Sequence, residues 1–439
     1  MNKIKMYIIN VHQRILAYIT REVFMDLLNT LLTEGKSQFH VIDIAKNHLL
    51  KNGYSLLSPQ DDWNLSVGGK YIVMPYPSVL FAFNMGNLHG DIRIAASHSD
   101  FPMLKLKPKP EIVKKSYLEA NVEPYGGLIM STWFDRPLGL AGKVILRSDN
   151  IFSPVTRLFD SKKPVFIIPS LAPHLKKETD SRDLDKQKEL IPVCGCNNLC
   201  NCDCSSFILD YISRELDIDK EDILDYDLYL YICESPVTIG INEELISSPR
   251  LDNISSVAAI LEGLTGIDNS SNIVIGAFFD NEEIGSRSKQ GADSMLFRDI
   301  INRMTGTRDL YGRSFSLSLD VAHATHPNYS EKSDITNDII LGNGIVLKTS
   351  ASQRYVTDSE AGGIITGLCR KYGIKLQKQV NNSNLPGGQT LGPIMSSYLP
   401  IPSVDMGIPI LAMHSARELA CKADYSQLVT LVKIFYEYQ

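Results

Sequence analysis

Apolar residues recur at helical spacing in REVFMDLLNTLLTEG and SQFHVIDIAKNHLLKNGY, which predicts two helices with Gly35 and Gly53 as stops. GKYIVMPYP and SVLFAFNMG then read as a hairpin with Pro75 and Pro77 in its connection. DIRIAASHSD is a short apolar strand that ends in polar residues. From about residue 105 the texture changes. MLKLKPKPEIVKKSYLEANVEPYGG and GLAGKVILRS alternate as strands do, KKETDSRDLDKQKEL is charged and apolar-poor and reads as a loop, and DYDLYLYICES returns as a strand. PRLDNISSVAAILEGL reads as a turn followed by a helix. An α/β rhythm then resumes: NIVIGAFF, SFSLSLDVA and a strand near IPSVDMGIPI alternate with the helices of DSEAGGIITGLCRKYG and YSQLVTLVKIFYEY. Strands alternating with helices predict an α/β fold, a mixed, mostly parallel sheet flanked by helices. The middle segment is then an inserted β-rich second domain. The expected boundaries are 1–104 and 240–439 for the main domain and 105–239 for the insert.

Composition narrows the class without naming it. The chain has 439 residues, 44% hydrophobic and 21% charged, which are ordinary globular values with ample length for a core. A net charge of -6 leaves no electrostatic footprint for nucleic acid or an anionic membrane. The opening MNKIKMYIINVHQRILAYITREVF interrupts its apolar residues with Lys3, Lys5, His12 and Arg14, so neither a membrane span nor a signal peptide is expected and the chain reads as cytoplasmic. Five of the eight cysteines crowd into VCGCNNLCNCDC, at Cys194, Cys196, Cys200, Cys202 and Cys204. A disulfide framework suits such a chain poorly, and the spacing matches none of the common zinc-finger patterns. A surface loop of reduced thiols is preferred to a structural metal clip.

The ends of the predicted strands carry the chemistry. DIRIAASHSD ends in His98 and Asp100, SPRLDN supplies Asp252, and FFDNEE supplies Glu282 and Glu283. SLSLDVAHATH supplies Asp320, with His323 and His326 behind it, and PILAMHSARE supplies His414. Each alone has a plain explanation: a core histidine, an Asp cap, a solvated acidic turn before a helix. Jointly they sit where functional groups gather in open α/β sheets, beyond the carboxyl ends of the strands. The chemistry that needs such a set is a two-metal hydrolytic site. Two ions roughly 3.5–4 Å apart share a carboxylate, each keeps its own His or carboxylate ligands, and one further acid stays free to move a proton. Such a site accounts for adjacent glutamates, because the cations remove their repulsion. In His-x-Asp, the Asp can fix the imidazole for coordination.

IAASHSDFPMLKLKP, STWFDRPLGLAGKV, SPRLDNISSVAAILEGL, FDNEEIGSRSKQGADS, LDVAHATHPNY and MGIPILAMHSARE together resemble the aspartyl aminopeptidase family, of the two-zinc metalloaminopeptidase clan. The resemblance runs from about residue 24 to the C-terminus, with six motifs in family order, and the cysteine cluster falls outside it. It implies a zinc-peptidase-like fold and two zinc ions per subunit, with manganese or cobalt as chemically acceptable substitutes. It implies that His98 binds one zinc with Asp100 orienting it, that Asp252 bridges both ions, and that Glu282 is the general base and acid. Asp320 would then bind the first zinc, and Glu283 and His414 the second. His174, in PSLAPHL, would reach a neighbouring subunit's active site, and Lys348, in GIVLKTSASQRY, would lie near an acidic substrate side chain. The family's assembly is a dodecamer built from dimers, which makes this chain an expected homo-oligomer.

The sequence therefore predicts a zinc-dependent aminopeptidase that removes N-terminal residues, acidic ones by the resemblance, from peptide substrates. Asn384, where the family carries Asp, and the PYPS of residues 75–78 depart from the family pattern and bear on substrate preference. The alternatives are an aminopeptidase for neutral N-termini, a carboxypeptidase or deacylase on the same two-metal site, and a non-catalytic oligomeric metal-binding shell. His323 and His326 are expected in structural roles, and the glycines of SNLPGGQTLGP in a turn near the site.

Overall fold

The computed structural model describes residues 25–87, 90–175, 184–199, 205–267, 271–306 and 314–438. Residues 21–24 of the first expected helix, residues 176–183 of the charged segment, and Cys200, Cys202 and Cys204 lie outside the described residues. Among the described residues the main sheet has nine strands. Their order is Ser55–Leu57, Lys70–Tyr76, Val79–Met85, Ile273–Phe279, Ile92–His98, Ser314–Leu319, Ser403–Gly407, Ile345–Lys348 and Leu376–Gln379. Five neighbouring pairs are parallel and three antiparallel, which is the mixed, mostly parallel sheet expected.

Strand Ile273–Phe279, in the interior of this sheet, is buried along its whole length. That is what a continuous apolar run requires when both faces of a sheet are covered. On one face lie the 25–34 helix and helices Gln38–Lys51, Leu251–Thr265, Ser359–Tyr372 and Lys422–Glu437. On the other lie Leu296–Thr305 and Leu391–Tyr398, whose amphipathic patterns were not singled out from the sequence. Here Phe81, Phe279 and Phe297 meet with ring centroids 5.0–5.5 Å apart. Burying each such ring contributes roughly 1.5–3 kcal/mol. Helix Leu251–Thr265 runs through the middle of the molecule, almost wholly buried. Gly276 lets it settle on the sheet, because a Cβ there would stand 2.6 Å from Leu264 and 2.9 Å from Ile260.

The six-stranded antiparallel sheet is drawn from the segment between Met103 and Ile232, in the order Val155–Asp160, Leu138–Leu146, Ile223–Ile232, Met103–Lys114, Tyr117–Tyr125, Val193–Cys196. It has its own core around Leu104, Leu140, Phe159 and Leu228, covered by helix Phe207–Leu216. Lys186–Glu189, within the charged segment read as a loop, forms a single helical turn because Asp185 accepts a hydrogen bond from the Gln187 N–H.

A third sheet of five short strands joins Val237–Ile239, Leu245–Ser248, Glu418–Cys421, Pro409–Leu411 and Ala322–His323. Its pairing of Ser248 with Glu418 sets the turn into helix Leu251–Thr265 beside the loop that carries His414. Among the described residues no helix is long and apolar enough to cross a membrane.

Candidate metal centre

Five chain segments deliver the acidic and histidine groups to one place. His98 is the last residue of its strand, and Asp320 directly follows the parallel neighbour Ser314–Leu319. Glu282 and Glu283 follow Ile273–Phe279 through a sharp reversal. Asn281 takes a left-handed φ of 64°, a short 3-10 turn covers Glu282–Ile284, and Gly285 closes it at φ 96°. Asn tolerates that conformation better than most residues with a Cβ. Asp252 lies in the first turn of its helix with non-helical φ/ψ. His414 arrives on the loop after Pro409–Leu411, also at positive φ.

Two ligand groups result. One is His98, Asp252 and Asp320, the other Asp252, Glu283 and His414, and within each group one atom per residue lies within 4.8 Å of the others. Asp252 belongs to both. Its Oδ1 is 3.7 Å from His98 Nε2 and its Oδ2 is 3.4 Å from His414 Nε2. His98 Nε2 is 3.6 Å from Asp320 Oδ1, and His414 Nε2 is 3.4 Å from Glu283 Oε2. Glu282 belongs to neither group and stands 3.9 Å from His98 Nε2.

The donor set fits zinc, which takes imidazole nitrogen and carboxylate oxygen together. Asp252 Oδ1 and Glu283 Oε1 are buried with no hydrogen-bond partner, a costly arrangement that a cation relieves. Electrostatics point the same way. Burial drives Glu282 up to about 8, with His98 opposing and Asp320, Asp100 and Asp252 adding to the rise. Burial and Asp252 push Glu283 well above the usual carboxylate range. Burial disfavours charge on His98, yet hydrogen bonds to Asp100 and Asp320 prevail and hold it well above an ordinary histidine. His414 behaves alike: Asp252 and Glu283 overcome burial and raise it to about 10. Asp320 is held well below the usual range by Lys348 and His98, against burial. A compact set of carboxylates is drawing positive charge from whatever lies beside it.

Asp100 does more than face its histidine. Its carboxylate accepts the backbone N–H groups of Glu282 and Glu283, both at 3.2 Å, and the Tyr125 hydroxyl at 2.7 Å. Its nearest contact to His98 Nδ1 is its own backbone carbonyl, at 3.1 Å, with carboxylate Oδ1 at 3.4 Å. The two glutamates are thus held through their backbones by a third acid. They are not a solvated turn, since the Glu283 side chain is only 4% exposed.

Lys348, fully buried, places Nζ 3.2 Å from Asp320 Oδ2. With Tyr355, Gln389, Thr390, Ile394 and Met413 it lines a cavity of about 350 Å³ that opens onto both ligand groups. The Gly388–Thr390 part of the glycine-bearing stretch therefore does border the site. Asn384 is exposed. His323 borders the same cavity, while His326 is exposed and packs against Tyr329 with ring centroids 5.0 Å apart. His174 stands apart from all of these, exposed in the short Pro173–Leu175 turn that follows the inserted sheet's Val155–Asp160 strand. Two participants were not read from the sequence. Tyr125 comes from the inserted sheet, and nothing in VEPYGG marks it. Glu418 accepts hydrogen bonds from the Asp252 N–H at 2.9 Å and the His414 N–H at 2.8 Å. Its only signal was an acid four residues after His414 in HSARE.

Known proteins resemble this chain over nearly its whole length. The family described as aminopeptidase I zinc metalloprotease (M18) matches residues 31–436. A probable M18 family aminopeptidase 2 of Clostridium novyi is 40% identical over 428 residues, covering 94% of this chain and 98% of the relative. One of Pseudomonas savastanoi is 35% identical, covering 92% and 96%. Among solved structures, a chain of the Ape4 and Nbr1 complex is 31% identical with a TM-score of 0.87, covering 96% of this chain and 86% of that one. The crystal structure of prApe1 is 26% identical with a TM-score of 0.89, covering 97% and 96%.

Proposed function

This chain is a metalloaminopeptidase of the aminopeptidase I zinc metalloprotease (M18) family, and on that premise we propose that it works with two zinc ions and a glutamate base, preferring acidic N-terminal residues. The observation that carries the two-ion reading is Asp252, which turns one oxygen toward each histidine and leaves Oδ1 buried without a partner. His98, Asp252 and Asp320 would hold one ion, and Asp252, Glu283 and His414 the other. Zinc bound there supplies Lewis acidity toward the scissile carbonyl and lowers the pKa of a water.

The chain's own residues supply the rest. Glu282 takes the proton of the attacking water and passes it to the departing amine, a role supported by its standing outside both ligand groups yet 3.9 Å from His98. Asp100 keeps Glu282 and Glu283 in place through their backbone N–H groups. His174 acts on a neighbouring subunit's site by donating to the developing oxyanion; its exposure on the inserted sheet's side of the molecule supports a role between subunits. The chain acts as a homo-oligomer, a dodecamer built from dimers, with the inserted sheet serving in dimerisation. A yeast aminopeptidase of this fold carries the name mApe1 dodecamer. The described cysteines Cys194, Cys196, Cys233, Cys369 and Cys421 are free thiols, which supports a reducing, cytoplasmic setting.

Lys348 gives the site a buried cation beside the cavity and supports recognition of Asp or Glu side chains. A second reading is favoured by a specific contact. The Lys348 charge is already engaged by Asp320 at 3.2 Å, and Ile394, Met413 and Tyr355 add apolar lining, so neutral N-termini would also be accepted. Family membership sets aside the carboxypeptidase or deacylase and the non-catalytic shell. The test is a kinetic panel of Asp, Glu, Leu and Lys aminoacyl substrates on zinc-loaded protein, with an N-acetylated control. Faster turnover of Asp and Glu supports the acidic reading, and Leu matching them overturns it. Zinc analysis finding one ion per chain would overturn the two-ion reading.

A further inference from the structure

Glu418 is, with Glu282 and Asp100, an acid beside the ligand groups that belongs to neither of them. It is buried at 2% exposure at the start of strand Glu418–Cys421, in register with Ser248. From Ser248 the chain turns through Pro249 and a left-handed Arg250 into Asp252, and His414 likewise sits at positive φ. Neither ligand is therefore held in place by regular secondary structure. What both share is Glu418. Its Oε2 accepts the Asp252 N–H at 2.9 Å and its Oε1 accepts the His414 N–H at 2.8 Å, so one carboxylate spans two segments that lie far apart in sequence. Arg250, buried and lining the same small cavity as Glu418, supplies a nearby positive charge.

We infer that Glu418 is a positioning residue for the metal group formed by Asp252, Glu283 and His414, setting the separation of Asp252 from His414 by holding both backbones. The inference rests on the two-ion reading above. The geometry makes a graded demand on the side chain. A carboxylate presents two acceptor oxygens. A glutamine presents one oxygen and one NH₂, and the NH₂ would face a backbone N–H, donor against donor, so one of the two loops loses its anchor. Residues that orient metal ligands typically cost about 10–100-fold in affinity or activity when changed.

The test compares wild-type protein with Glu418→Gln and Glu418→Ala in zinc titrations against a competing chelator, read as stoichiometry and Kd. Kinetics at rising zinc and thermal unfolding accompany them. Wild type should bind two ions. Glu418→Gln should weaken the second ion about 10–100-fold, with less effect on the tighter one. Its lost kcat should recover as zinc is raised to saturation, while KM measured at saturating zinc stays near wild type. Glu418→Ala should show the same pattern, deeper. Wild-type affinities for both ions in Glu418→Gln, with only a lowered Tm, would overturn the positioning role and leave the two-ion reading standing. A single ion bound by wild type would overturn both. If Glu418→Ala fails to fold, the isosteric Glu418→Gln alone decides.

Discussion

Tyr125, at the end of an inserted-sheet strand, donates a 2.7 Å hydrogen bond to Asp100, two residues beyond the main-sheet strand that ends in His98. The two sheets thus meet at the acid that holds Glu282 and Glu283. Tyr125 also accepts from Asn281 Nδ2 at 2.9 Å, so one hydroxyl ties the inserted sheet to the whole turn after Phe279.

Tyr125→Phe should keep the ring packing against Tyr229, whose centroid lies 5.5 Å away, and remove only the hydroxyl. A lost hydrogen bond to a charged acceptor costs about 1.5–3 kcal/mol. The expected outcome is a lowered Tm together with a fall in kcat, as Asp100 and the glutamate turn loosen. Unchanged kcat would show that the turn is held without Tyr125.

Glu282→Gln should retain zinc and lose turnover by about 10²–10⁴-fold, the usual range for a general acid–base group. Zinc content by elemental analysis and kcat on a dipeptide check the two halves separately. Asp252→Asn should behave differently and lose zinc as well as turnover, because its two oxygens serve both ligand groups.

His174→Phe should be nearly inactive as a homogeneous assembly yet leave zinc content unchanged, since it lies away from both ligand groups. Mixing His174→Phe with Glu282→Gln subunits should restore part of the activity, because each supplies what its neighbour lacks. Absence of rescue in assemblies confirmed as mixed would count against a histidine acting between subunits.

Lys36 and Asp160 join the loop between the first two helices to the inserted sheet, with Nζ and Oδ2 2.8 Å apart and both side chains 15% exposed. Burial alone would raise the Asp160 carboxyl, but Lys36, the Lys162 backbone and Tyr231 prevail and hold it below the usual range. A depressed folded-state pKa contributes stability that is present above the unfolded value of about 3.9 and is lost as pH falls through the folded one. Asp160→Asn should therefore lower Tm at pH 7, by the equivalent of about 1.5–3 kcal/mol. The gap between variant and wild type should narrow as pH falls below about 4. A gap independent of pH would show that packing, not charge, carries the contribution.

Local pattern determined the parts of this protein that depend on residues near one another in sequence. The continuous apolar run at Ile273–Phe279 reads as a strand covered on both faces, and the alternation between residues 103 and 146 reads as half-covered strands. Acids and histidines at successive strand ends were legible as candidates because a parallel sheet lines up its carboxyl ends on one side. Helices Leu296–Thr305 and Leu391–Tyr398 were not singled out, and the turn at Lys186–Glu189 is too short to show periodicity. Tertiary structure alone decided how the candidates are supported. That Asp100 holds the glutamate turn by its backbone, that Tyr125 crosses from another sheet to meet it, and that Glu418 reaches the Asp252 N–H as well as that of nearby His414 all depend on hydrogen bonds across 25 to 183 residues of chain. Such bonds leave no period in the sequence, because the partners are set by where the sheets come together and not by the spacing of residues along any one of them.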